Sequence, residues 1–200
     1  MNKRGQETRT RIKTCACSLF AEKGFNQVTM KDICEASGLS RGGLYNHYES
    51  TRQIFQELLK DMQNNQARAF DQKIRQNQPA TSILDDILEV YREEMLDGRS
   101  SLSLAFYEFF SIHQACGKEN SLQEQYLLSV NTWKNLIQYG IDRQEFREVD
   151  TDAIIDLLLF SYQGVRMYSK LMPVDKEIPS RILGEIKKQL VRSDSDGNHI

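Results

Sequence analysis

The chain of 200 residues is short of the residues that usually staple, sever or anchor a protein. It has four cysteines, Cys15, Cys17, Cys34 and Cys116, and no pair of them falls at a zinc-binding spacing. A disulfide framework is not expected either, because nothing marks the chain for an oxidising compartment. Only three prolines occur, Pro79, Pro173 and Pro179, and all lie between periodic segments, so long helices run without interruption. No apolar stretch is long enough to cross a bilayer. The most apolar run, Ala153 to Phe160, is too short, and Asp156, Gln163, Arg166 and Lys170 interrupt its surroundings. The opening residues, Met1 to Glu7, are polar and lack a signal core, so a cytoplasmic location without a membrane partner is expected. Histidines number three: His47 falls in a segment that reads as a recognition helix, His199 in a polar tail, and His113 has no sequence-adjacent nucleophile or paired carboxylate. With no phosphate-binding glycine loop, metal-ligand cluster or hydrolase elbow, the sequence nominates no catalytic residue, no metal and no cofactor.

What is present is a soluble-protein composition, 40% hydrophobic and 27% charged, in a chain long enough for a sizeable core. The net charge of −2 is unevenly spread. Residues 1–60 carry 10 Lys and Arg against 6 Asp and Glu, so the acidic excess lies in the remainder. A basic first part suits contact with phosphates.

The most informative segment runs from Thr29 to Tyr48. Thr29 and Asp32 stand at capping-box spacing, and Val28 and Ile33 at that of a hydrophobic staple. Ala36 is small enough for a second helix to cross closely. Gly38 can take the positive φ that ends a helix. Ser40 then caps a second helix over Arg41 to Tyr48. Leu44 and Tyr48 fall on one side of it, for burial, and Gly42, Gly43, Asn46 and His47 on the other. Two adjacent glycines are costly in a helix, which suggests a backbone held close to something. Two short helices around a tight turn, the second outwardly polar, form a helix-turn-helix, whose second helix enters the DNA major groove. An ordinary amphipathic helix pair is the competing reading. Arg41 and Asn46 are the candidate base readers, Arg for guanine and Asn for adenine. Lys31, Ser40, Gly42 and Gly43 complete the expected DNA-facing set.

Residues 11 to 54 resemble the N-terminal domain of TetR-family transcriptional repressors. The matching run is Arg11-Ile12, Ala16, Leu19 to Phe25, Val28-Thr29, Asp32-Ile33, Ala36, Gly38 to Ser40, Gly42, Leu44-Tyr45 and His47-Tyr48. The resemblance implies phosphate contacts from Thr29, Tyr45, His47 and Arg52. Arg52 would replace the lysine usual at the start of the fourth helix, where this chain has Thr51. It also implies a variable all-helical second domain that dimerises and binds a small effector.

The expected fold is all-α, with about nine helices. A three-helix DNA-binding domain would cover residues 1–49, an effector-binding and dimerisation domain 50–192, and a disordered tail 193–200. Periodicity places the first helix over about Gln6 to Lys23 and starts the fourth at a Ser50 cap, to stop near Pro79. A fifth follows through Ile83 to Met95, and a sixth from Leu102 to His113. A seventh runs through Leu122 to Ile141. The eighth spans about Thr151 to Leu171, capped by Asp150, and a ninth follows Pro179 through Leu190. The eighth is apolar nearly all round and must be covered on every side. The resemblance implies that it does so with the ninth in a two-fold dimer, where Gly164 would permit close approach and Leu183 would lie in the interface. The remaining aromatic and polar residues of helices five to eight, Tyr91, Met95, Phe106, Phe109, His113, Trp133, Tyr162 and Arg166, are the candidate effector pocket; Arg166 could instead pair with Asp156. The partners expected are thus a double-stranded DNA operator, a second copy of the chain, and a small-molecule effector of unknown identity. Two alternatives stay open: a constitutive DNA-binding factor without effector, and a thiol-responsive regulator using Cys15, Cys17 or Cys34.

Overall fold

The computed structural model describes residues 3–96, 102–113 and 121–192, and every named element among them is an α-helix. In chain order these are α1 (Lys3–Lys23), α2 (Met30–Ser37), α3 (Arg41–Tyr45), α4 (Thr51–Arg75), α5 (Ala80–Leu96), α6 (Ser103–His113), α7 (Ser121–Asp142), α8 (Thr151–Leu171) and α9 (Ile178–Leu190). The only ladder pairing among them is one isolated antiparallel bridge, Phe146 with Val191. The proposed tail 193–200, with His199, and Cys116 lie outside the described residues.

Start and stop chemistry explains most boundaries. Asp150 accepts from Ala153 N at 3.1 Å and caps α8. Ser50 Oγ accepts from Gln53 N at 3.3 Å and caps α4. Pro179 stands in the first turn of α9, where its missing N–H costs nothing. Gly24 N donates to Phe20 O and closes α1. The recognition segment is shorter than its sequence suggests. α3 ends at Tyr45, and His47 N and Tyr48 N both bond to Leu44 O, which tightens the last turn.

The chain packs as two compact units, Met1–Asn65 with Arg99–Asn120, and Gln66–Gly98 with Ser121–Ile200. This cut differs from a boundary at residue 49/50, because α6 packs on α1 and α4 runs from one unit into the other. The first unit is built on the α1 stripe Ile12, Ala16 and Phe20, one turn apart, all fully buried. Phe20, Phe25, Phe55 and Phe109 form a cluster with ring centroids 4.9 to 5.7 Å apart. The second unit has its own core, in which α5, α7, α8 and α9 contribute Leu84, Trp133, Leu158, Leu183 and their neighbours. Gly140 is required there. A Cβ at that position would sit 2.2 Å from the ring of Phe146, which is itself fully buried.

Candidate DNA-binding surface and effector-unit residues

The turn that presents α3 is assembled as its residues dictate. Thr29 Oγ1 accepts from Asp32 N at 3.2 Å, and Thr29 N donates to Asp32 Oδ2 at 2.8 Å, a complete capping box. The hydroxyl and amide of Thr29 hold the Asp32 carboxyl below the ordinary carboxylate range. Gly38 takes φ 66° and ψ 24°, and its N–H reaches back to Cys34 O and Glu35 O. Ser40 Oγ accepts from Gly43 N at 3.1 Å and starts α3. Ala36, however, is exposed; Ser37 is buried instead, its hydroxyl donating to Ile33 O at 2.6 Å.

α3 buries Leu44, with Tyr48 just beyond it, and presents Arg41, Gly42, Tyr45 and Asn46 to solvent. Thr29, Lys31 and Ser40 are exposed beside them, while Gly43, His47 and Arg52 are half-buried. A Cβ on Gly42 would meet nothing, and one on Gly43 would come within 3.2 Å of the Ser40 hydroxyl. Lys31 lies 3.8 Å from Glu35, an exposed pair that leaves the ammonium in water. The guanidinium of Arg52 lies 6.0 Å over the Phe109 ring.

A set of charges behind this face has no counterpart in the sequence reading. Arg9 on α1 donates to His47 O at 3.3 Å, pairs with Glu57 on α4, and lies 4.3 Å over the Tyr48 ring. Lys13, one turn later, bridges Glu57 at 3.1 Å and also Asp61. Burial pushes the Glu57 carboxyl up, but bonds from Arg9 and Lys13 outweigh it and hold the pKa below the usual range. Burial also raises the Tyr48 phenol. Arg9/Lys13 and Glu57/Asp61 are two complementary i,i+4 rows on α1 and α4. That matching was the one available signal, but a separation of 48 residues hides the pairing.

The candidate effector residues do not form one group. Phe109 is nearly fully buried in the aromatic core of the first unit, and Phe106 packs on Phe110 at 4.6 Å. They belong with α1 and α4 because α6 does. The side chain of His113 lies outside the described set. Tyr91, Met95, Trp133, Tyr162 and Arg166 do lie in the second unit. Tyr91 stacks on Tyr162 at 4.2 Å and meets Trp133 edge-on at 5.9 Å. Arg166 bonds to Tyr162 and not to Asp156, which instead accepts from Tyr126 at 3.3 Å. Glu94, which accepts from Tyr162, was missed because nothing in its local pattern separates it from the solvent-facing acids of α5.

α8 buries Ile154, Ile155, Leu158, Leu159 and Tyr162. The opposite side carries Leu157, Phe160, Tyr168 and Leu171, all exposed, with the half-buried Gly164 among them; Phe160 is 67% exposed and Leu171 75%. A Cβ at Gly164 would meet nothing within 4 Å among the described residues. Leu183 of α9, by contrast, is buried in the core of its own unit, so the sequence expectation that it lies in an interface is corrected. Of the cysteines, Cys34 is buried, Cys15 Sγ donates to Ala36 O at 3.3 Å, and burial raises the Cys17 thiol, which disfavours the reactive thiolate. Among the described residues no helix is long and apolar enough to cross a membrane.

Comparison with known proteins agrees with this architecture. The family profile described as "Bacterial regulatory proteins, tetR family" matches residues 14–58. The chain is 30% identical over 145 residues to the HTH-type transcriptional regulator YfiR of Bacillus subtilis (strain 168), covering 72% of this chain and 70% of that protein. It is 26% identical over 182 residues to the HTH-type transcriptional repressor KstR2 of Rhodococcus jostii (strain RHA1), covering 80% and 79%. A crystal structure of a TetR transcriptional regulator from Chloroflexus aurantiacus superposes with a TM-score of 0.70 at 21% identity, covering 96% of this chain and all of that one, a likeness of fold. A capped helix-turn-helix, an all-helical remainder and these relatives have one consistent reading: the chain belongs to the TetR family and is a DNA-binding transcriptional regulator, not an enzyme.

Proposed function

We propose that this regulator is a homodimeric repressor that binds a palindromic operator and is released from it by a small molecule held in the second unit. The observation that carries the reading is the outward face of α3. Arg41 and Tyr45 are exposed on α3, and Asn46 at its C-cap, while Leu44 is locked into the core behind them. Arg41 and Asn46 have the fork geometries that read guanine and adenine, while Thr29, Tyr45, His47 and Arg52 hold phosphates. KstR2, which this chain resembles over most of its length, is named a repressor.

Dimerisation follows from the α8 stripe. An exposed apolar face of this length is costly in water and is best covered by its own copy about a two-fold axis. Two α3 helices would then meet successive major grooves about 34–36 Å apart. Effector binding would favour a conformation with a different spacing. α4 runs from the first unit into the second and so links the two events. The effector need only bind the two conformations unequally. The test has two stages: selection of bound DNA from a random pool, then a compound screen for release. A palindromic consensus and at least one releasing compound are expected. Selection of a single half-site by a monomer would refute the dimer, and a broad screen without release would favour a constitutive factor.

A further inference from the structure

Two side-chain polar atoms among the described residues are buried without a hydrogen-bond partner, Tyr48 Oη and Arg166 Nε. Buried charged donors are rarely left this way, because losing water without a replacement acceptor is costly. Around Arg166 the other contacts are well made. Its Nη1 donates to Tyr162 Oη at 2.7 Å, and its guanidinium carbon lies 4.8 Å over the Tyr162 ring. Tyr162 Oη donates onward to the Glu94 carboxylate. Tyr91 covers the same ring, and its own hydroxyl accepts from Trp133 Nε1 at 3.3 Å. The guanidinium is therefore fixed in orientation through Nη1, while its Nε is enclosed without an acceptor.

We propose that the Nε edge of Arg166 receives the carboxylate of the effector. This rests on the second unit being the effector unit and names the ligand class. A carboxylate engages a guanidinium side-on through two parallel N–H···O bonds, and the Nε edge is one of the two edges shaped for it. The charge balance favours a monoanion over a phosphate. Arg166 is the one cation in this group, and Glu94 already stands one hydroxyl away from it. A single added negative charge completes a pairing, whereas a dianion would face Glu94 with no second cation among these described side chains. Tyr91 and Trp133 supply aromatic surroundings that exclude water and strengthen the pair.

The full chain reports on this directly, because Trp133 is its sole tryptophan and bonds to Tyr91. Benzoate, phenylacetate and octanoate are titrated alongside their primary amides, with Trp133 emission and melting temperature as readouts. At least one carboxylate is expected to bind, with its amide roughly 10- to 100-fold weaker, the range for a charge-assisted bond. Arg166→Met should abolish the preference for carboxylate over amide. Arg166→Lys, which keeps the charge but not the fork, should retain only part of it and serves if the methionine variant fails to fold by circular dichroism. An amide that binds as well as its acid would overturn the carboxylate and leave the effector unit standing. Unchanged carboxylate binding in both variants would place the anion elsewhere and overturn the role of Arg166. No response to any of the six compounds would overturn the ligand class, while release of operator DNA by another compound would still uphold effector control.

Discussion

Replacing Glu57 with glutamine isolates the ionic cluster behind the recognition helix. The substitution keeps the shape of the side chain and removes the charge that Arg9 and Lys13 share. A hydrogen bond to a charged group contributes about 1.5–3 kcal/mol when shielded from water. The Glu57 side chain is 28% exposed, so solvent screening reduces this. Glutamine can still accept one bond, and Lys13 keeps Asp61. A net loss of about 1–2 kcal/mol is expected, or roughly 2–8 °C in melting temperature for a chain of this size. The pH dependence has a definite sign. Glu57 is held below its usual pKa in the folded chain, so its contribution is present above the unfolded value of about 4.3 and is lost as the pH falls through the lower folded value. Melting curves of wild type and Glu57→Gln, followed by circular dichroism, should therefore differ fully at neutral pH and converge in acid. Coincident curves at neutral pH, or a gap that widens on acidification, would refute the reasoning.

Other consequences are as concrete. Arg41→Ala and Asn46→Ala should each cost roughly 1–3 kcal/mol on operator DNA and relax preference at one base pair; equal losses on operator and random DNA in a gel-shift titration would remove them from base reading. Phe160→Asp, on the exposed side of α8, should shift the protein to monomer in analytical ultracentrifugation while keeping its helicity. Leu183→Glu should unfold the second unit instead, since it buries an unpaired charge in a core; a folded monomer from that variant would contradict the placement of Leu183. Gly140→Ala forces a methyl group into the Phe146 ring and should lower stability by about 1–3 kcal/mol, measured by urea titration.

Local chemistry made much of this fold readable from the chain. Caps act over three or four residues, so Thr29 with Asp32, Ser40, Ser50 and Asp150 announced their helices, and Gly38 announced its turn. The outward and inward sides of α3 were legible for the same reason, since helical periodicity alone separates Arg41 and Asn46 from Leu44. The sequence also marked α8 as apolar nearly all round. It could not say which side meets its own chain, or that α9 spends Leu183 on the intrachain core.

Pairings between distant helices were left to the tertiary structure. Arg9 finds Glu57 only because α1 and α4 lie side by side, and no local preference encodes that. An aromatic residue satisfies core and pocket patterns equally well. Thus Phe109 reads the same as Tyr91 until packing assigns one to the first unit and the other to the second. The unfilled Nε of Arg166 belongs to the same class of fact. Whether a buried donor has an acceptor depends on every neighbour in three dimensions, whereas a cap depends on the next few residues of one strand of chain.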